Sequence, residues 1–170
     1  MEKEIEILGG TELFKNLSPE QIKTILRICR TVHFSENEII MKEGELGDRM
    51  YVILQGTVEV IKRLTMEGVA NGEGAEKNKI FTRLHAGDHA VFGEIALLEE
   101  FRRTATVQAV TKCTLYEIKK DDFLKLAEKD FEFGYRILRN LAGIVSARLR
   151  KVDDDIMKLT TVLSIILKET

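Results

Sequence analysis

Two residues of opposite charge bracket a short apolar turn in the stretch FGEIALLEEFRRTATV, Phe92 to Val107: Glu94 and Arg103. An arginine presents a planar pair of N–H donors, a geometry suited to a phosphate. A glutamate carboxylate only accepts, so it asks for a hydroxyl or an amine. The run GEIALL between them lacks a string of β-branched residues and can form about one helical turn, whose backbone N–H groups would face an anion. A phosphate next to a sugar hydroxyl satisfies both side chains at once. A cyclic nucleotide has that arrangement, with one charged phosphate fused to a ribose that keeps a free 2′-hydroxyl.

The elements that must position this turn are legible in the flanking pattern. From Thr31 to Lys120 the segments TVHF, EIIM, RMYVILQG, TVEVIKRL, KIFTRL, TATVQAV and TLYEIKK are rich in β-branched and aromatic residues. EGELGD, QGT and HAGDH between them are turn-like. Short strands at this spacing predict a sandwich or jelly-roll barrel. The polar, glycine-rich TMEGVANGEGAEKNK, Thr65 to Lys79, reads as a mobile loop between two strands.

Helices are expected on either side. The first ten residues are charged, end in Gly9-Gly10 and read as a loose or short leader. In TELFKNLSPEQIKTILRICR, Ser18 can cap, Pro19 suits the first helical position and Gln21 completes a capping box. Ile22, Ile25, Leu26 and Cys29 then share one helical face. After Lys120, DDFLKLAEKD reads as a short helix started by Asp121 or Asp122. From Phe131 nearly to the end the pattern is one long helix, interrupted only by Gly134 and Gly143. Its apolar positions Val145, Leu149, Val152, Ile156, Leu159, Leu163 and Ile166 advance by alternating steps of four and three. That is a heptad seam, narrower than the stripe of a helix lying on its own core, and it predicts a homodimeric coiled coil. With Leu149 at position a, Arg148 falls at g and Asp153 at e, where the two could bridge between parallel chains.

The bulk composition narrows the function classes. At 170 residues with net charge −2 the chain carries no global basic field to recruit nucleic acid or anionic lipid. No signal-peptide pattern and no bilayer-length apolar run occur, so a cytoplasmic location is the expectation. Cys29 and Cys113 lie among apolar neighbours without CxxC spacing and read as reduced core residues.

At this point the sequence resembles the cyclic-nucleotide-binding domain family. FGEIALLEEFRRTATV looks like its phosphate-binding cassette, EGELGDRMYVILQGTVEV like the glycine-marked hairpin before it, and LFKNLSPEQI like its leading helix; the likeness covers roughly Leu13 to Arg150. The resemblance implies an α+β fold: a β jelly-roll (double-stranded β-helix) barrel flanked by an N-terminal helix and a long C-terminal helix. It also implies roles. Arg103 matches the arginine that grips the phosphate, and Glu94 the acceptor of the ribose 2′-hydroxyl. Gly93, Ile95 and Ala96 match backbone positions lining the pocket. Phe92, Arg102 and Ala105 belong to the same cassette. Thr104 stands where Ser or Thr favours guanine, and base contacts would come from Arg148 to Asp154, with Asp153 or Asp154 accepting from guanine. Two departures stand out: Arg102 replaces the proline of many members, as in channel-type RRTA cassettes, and GDHAVFGE is longer than the usual spacing.

The expectation is a regulatory sensor for cAMP or cGMP, with no catalytic residue, no metal and no cofactor. Residues 11–120 would form the binding barrel with its leading helix, and 121–170 the C-terminal helices with the dimerisation coil. Its partners would be the nucleotide, a second copy and an unidentified effector protein, with no direct contact to nucleic acid or membrane. Two alternatives belong to other classes. One is the sensor part of a transcription factor lacking its DNA-binding module. The other is a metal-dependent jelly-roll enzyme using His85, His89 and Glu94, although the usual His-x-His step is missing.

Overall fold

The computed structural model describes residues 2–64, 77–98 and 102–168. Among the described residues, eight strands form two antiparallel four-stranded sheets. One contains β1 (Arg30–Phe34), β3 (Arg49–Gln55), β6 (Val91–Phe92) and β8 (Cys113–Lys119), in the order β1-β8-β3-β6. The other contains β2 (Ile39–Met41), β4 (Thr57–Leu64), β5 (Lys77–His85) and β7 (Thr106–Ala109), in the order β2-β7-β4-β5. With α1 (Glu2–Gly9) and α2 (Pro19–Leu26) before the strands and α3 (Lys120–Lys129) and α4 (Phe131–Lys168) after them, this is the expected α+β jelly-roll barrel.

The central strands show why apolar runs, not simple alternation, mark the middle of this fold. Successive side chains of a strand point to opposite faces. Along β3, Tyr51 and Ile53 enter the core between the sheets, whereas Met50 and Val52 enter a second core shared with the helices. β8 divides the same way: Cys113 and Leu115 face the barrel interior, Tyr116 and Ile118 the helices. Both faces are covered, so both parities are apolar.

The helices close the second core. The capping box of α2 is present: Gln21 N donates to Ser18 Oγ at 3.2 Å and Ser18 N to Gln21 Oε1 at 3.1 Å. Ile22 and Ile25 are buried, with Leu26 and Cys29 packed against the same cluster. Burial pushes the Cys29 thiol up to about 12, and both cysteines are free. The start of α4 is capped by Asp130, whose Oδ1 accepts from Phe133 N at 3.0 Å. Phe133, Ile137, Leu141 and Ile144 of α4 then pack into the helical core.

Three expectations need correction. The leader is not loose: α1 buries Leu8 completely, and Glu4 accepts a hydrogen bond from the Tyr116 hydroxyl at 2.9 Å. α3 starts before the aspartates, because β8 runs straight into it and the Lys120 N–H is anchored on the Asp48 carbonyl at 2.8 Å. Asp121 and Asp122 sit instead in its first turn, where they complement the helix dipole. The loop expected over Thr65 to Lys79 is shorter, since residues 77–79 belong to β5; the rest of it lies outside the described residues. Among the described residues, no helix is long and apolar enough to cross a membrane.

Candidate functional site

The apolar run after Gly93 folds as one 3-10 turn, Glu94–Leu97. Gly93 precedes it with φ +74°, a left-handed conformation in which glycine carries no Cβ penalty. A Cβ there would also lie 2.8 Å from Arg103 Nη1. A Cβ on Gly47 would likewise lie 2.5 Å from Arg103 Nε. The two glycines, distant in sequence, thus make the slot that Arg103 fills.

Arg103 is half-buried in this slot. Its Nη2 donates to the Arg49 carbonyl at 2.7 Å and its Nη1 to the Gly93 carbonyl at 3.5 Å. Desolvation pulls its pKa below the ordinary arginine range, yet a guanidinium keeps its charge at neutral pH. Its backbone is zipped onto the loop before β3: Arg103 N donates to Glu45 O at 2.7 Å and Gly44 N to Arg103 O at 2.9 Å. A desolvated cation held by neutral carbonyls is a strong receptor for an anion, because a charge-assisted bond is worth roughly twice a neutral one.

Glu94 is 1% exposed. Its Oε1 accepts from Nη1 of Arg148, which reaches down from α4. The neighbouring Arg102 behaves differently: it is exposed, donates to the Gly44 carbonyl at 2.8 Å and forms an isolated bridge with Leu46. Phe92 is turned into the barrel and stacks on Tyr51, ring centroids 5.1 Å apart. The Ala96 N–H donates within the turn to the Gly93 carbonyl at 3.1 Å, Ile95 is partly exposed, Ala105 is buried and Thr104 is exposed.

Next to Arg103, whose Nη2 bonds the Arg49 carbonyl, lies a second charged group that sequence reasoning missed. Arg49 donates through Nε to Asp48 at 2.7 Å and through Nη1 to the buried Glu117 at 3.0 Å. Its pKa is raised by the Asp48 bonds and then by Glu117. Tyr51, pushed up to about 12 chiefly by burial, donates to the same Glu117 oxygen at 3.4 Å. The role of Arg148 toward Glu94 was also missed; the available signal was a buried acid in search of a cation at the start of the heptad seam. The GDHAVFGE segment, Gly87 to Glu94, begins within a 3-10 turn, Ala86–Asp88, continues through His89 at φ 48° and enters β6. The His89 ring packs directly on Gly10, where a Cβ would come within 3.0 Å. His85 bonds Thr57 Oγ1 at 3.0 Å through Nδ1, so His85, His89 and Glu94 are directed to three different partners.

A jelly roll that sets an anion-seeking arginine beside a buried acceptor is suited to a small anionic ligand, and comparison with known proteins identifies the family. The profile of the cyclic nucleotide-binding domain matches residues 31–130, and the chain belongs to that family. It is 32% identical over 124 residues to the human potassium/sodium hyperpolarization-activated cyclic nucleotide-gated channel 4, a match covering 73% of this chain and 9% of the channel. The structure is similar to Thermus thermophilus catabolite activator protein, with TM-score 0.73, 25% identity and coverage of 88% of this chain and 63% of that one. It is also similar to the regulatory domain of Toxoplasma gondii PKA with cAMP, with TM-score 0.60, 25% identity and coverage of 73% and 43%.

Proposed function

We propose that this chain is a regulatory sensor that binds a cyclic nucleotide, with cAMP as the natural ligand and cGMP accommodated. The observation that carries the reading is Arg103: a half-buried guanidinium hydrogen-bonded to backbone carbonyls, in a slot two glycines leave open, beside a fully buried carboxylate. An incoming phosphate takes the Arg103 donors from the carbonyls of Arg49 and Gly93. Arg148 engages Oε1 of Glu94, and Oε2 is the acceptor we assign to the ribose hydroxyl. Gly93, Ile95 and Ala96 offer backbone, Thr104 faces the base, and Phe92, Arg102 and Ala105 hold the cassette in shape.

The output is a population shift. Ligand joins the cassette to α4 through Glu94 and Arg148, favouring the state in which the two are close. Coupling of this kind is typically worth about 1–3 kcal/mol. We assign residues 11–120 to the sensing barrel and 121–170 to the reporting helices. The seam from Val145 to Ile166 makes the chain a homodimer, and an effector protein reads the change in the cytoplasm; no chemistry is catalysed.

Calorimetry on two adjacent variants tests the assignment. Arg103→Ala should weaken cyclic-nucleotide binding strongly, since each hydrogen bond to a charged group is worth about 1.5–3 kcal/mol. Arg102→Ala should change affinity far less. Equal losses would place the phosphate on the wrong arginine.

A further inference from the structure

One edge of the second sheet is open. In the order β2-β7-β4-β5, β5 has only β4 beside it among the described residues. It is nine residues long, whereas edges are normally kept short or covered, because a free row of N–H and C=O groups is a template for another strand. β4 pairs with β7 from Val58 to Ile61 but with β5 as far as Leu64, so the end of the β4–β5 ribbon projects past its third strand. Val60 faces Thr82 and Ile61 faces Ile80, which leaves Phe81 as the extra residue of a bulge. Beyond the bulge Lys62 stands directly opposite Lys79, and both are exposed. Like charges placed opposite each other on a ribbon repel. Arg83 is balanced by Glu59 at 3.5 Å, but among the described residues no carboxylate pairs with Lys62 or Lys79.

We propose that β5 is a docking edge for an acidic, extended segment of a partner protein, which adds to the sheet as a further strand and sets carboxylates against Lys62 and Lys79. The inference goes beyond the sensor reading and does not depend on it. Backbone bonds to the free edge hold such a segment, and side chains at alternate positions select it. The two faces of the ribbon state what those side chains are. Lys62 and Lys79 share one face, and Phe81 joins them there, its ring centroid 5.5 Å from Lys62 Nζ. Ile80, next to Lys79, points to the opposite face. Ile80 is 49% exposed and Phe81 57%. A segment that alternates acidic and aliphatic residues matches both faces at once. The lysines also discriminate: they oppose a basic strand and a second copy of β5, and they favour an acidic one.

A fluorescein-labelled peptide of alternating glutamate and valine, blocked at both ends and about eight residues long to match a strand, tests the edge. It is titrated into the full chain without nucleotide. The sequence joining β4 to β5 carries Glu67, Glu73 and Glu76, so the full chain keeps its own acids in place. The expected result is a saturable rise in anisotropy, larger at low salt, with slowed amide exchange along β5. Lysine in place of the peptide's glutamates should abolish binding, and glycine in place of its valines should weaken it. The double variant Lys62→Ala, Lys79→Ala should bind about tenfold more weakly, the scale of two exposed ion pairs. No binding of the glutamate–valine peptide would overturn the proposal and leave the lysines as a guard against strand pairing. Unchanged affinity in the double variant would put the peptide elsewhere on the chain, and binding without protection of β5 would reduce it to a charge contact; either result overturns strand addition. With no nucleotide present, failure here leaves the sensor reading standing.

Discussion

Among the described residues, two buried carboxylates lie on the barrel, and they are satisfied in opposite ways. Glu117 sits in the middle of β8 and takes its cation, Arg49, and its hydroxyl, Tyr51, from the adjacent strand β3. Every partner belongs to the same sheet, so the group is fixed as soon as β3 and β8 pair. Glu94, on the cassette turn, takes its cation from α4, an element that leaves the barrel altogether and whose Arg148 side chain remains 53% exposed. An ion pair within one sheet adds rigidity. An ion pair between a turn and a departing helix makes the position of that helix depend on what occupies the turn. The contrast sets a charge tied within one sheet against a charge shared with a helix, and the proposed coupling rests on the second.

Removing the cation at each centre should break the comparison open. Arg49→Ala strands the buried Glu117 inside a sheet that cannot move aside, and breaking a buried pair in this way costs about 3–5 kcal/mol of stability. Denaturant unfolding should show that loss. Arg148→Ala should cost less, about 1.5–3 kcal/mol, because α4 can shift and admit water to Glu94. Titration of that variant should show weakened cyclic-nucleotide binding. If both variants lose the same stability and Arg148→Ala binds normally, the two centres are alike and the coupling role of Arg148 fails.

Smaller effects sharpen the picture. Thr104 is exposed directly after Arg103, and its hydroxyl can accept from the 2-amino group of a syn guanine, which adenine lacks. Thr104→Ala should weaken cGMP by about 1 kcal/mol, one neutral hydrogen bond, and leave cAMP nearly unchanged; parallel losses in the two titrations would show that the hydroxyl does not read the base. Asp48→Asn should have the smallest effect, at most about 1 kcal/mol, because its ion pair with Arg49 is largely exposed. The Arg49 bonds hold the Asp48 carboxyl below its ordinary value. Its contribution is therefore present above the unfolded-state pKa and lost as the pH falls through the depressed folded value. The melting difference between wild type and Asp48→Asn should close on acidification.

Much of this was legible in the sequence wherever one residue type answers to one local rule. The Ser18 capping box, the apolar β3 and β8 runs and the turn after Gly93 are local features, and each appears where its pattern lies. What escaped the sequence depends on contacts across many residues. Gly47 leaves room for Arg103 from a distant loop, and Arg49 meets Glu117 across a sheet; neither pairing leaves a periodic trace. The leader escaped because charged residues around Ile5 and Leu8 masked a single apolar stripe. Upstream of Val145 inward and outward apolar positions interleave, and only burial separates Phe133 and Ile137 from Tyr135 and Leu138.

The rest depends on Arg103, seated between Gly47 and Gly93, and Glu94 together receiving a cyclic phosphate fused to ribose. A thermal-shift comparison of cAMP, cGMP and plain AMP on the unsubstituted protein tests it most directly. Ligand that binds only the folded chain raises its stability by about 2.7 kcal/mol at one hundred times its dissociation constant. A saturable rise in melting temperature is expected with cAMP, a smaller one with cGMP and almost none with AMP, whose phosphate is not tied back to the ribose. No shift with either cyclic nucleotide, or a shift with AMP as large as with cAMP, would contradict it.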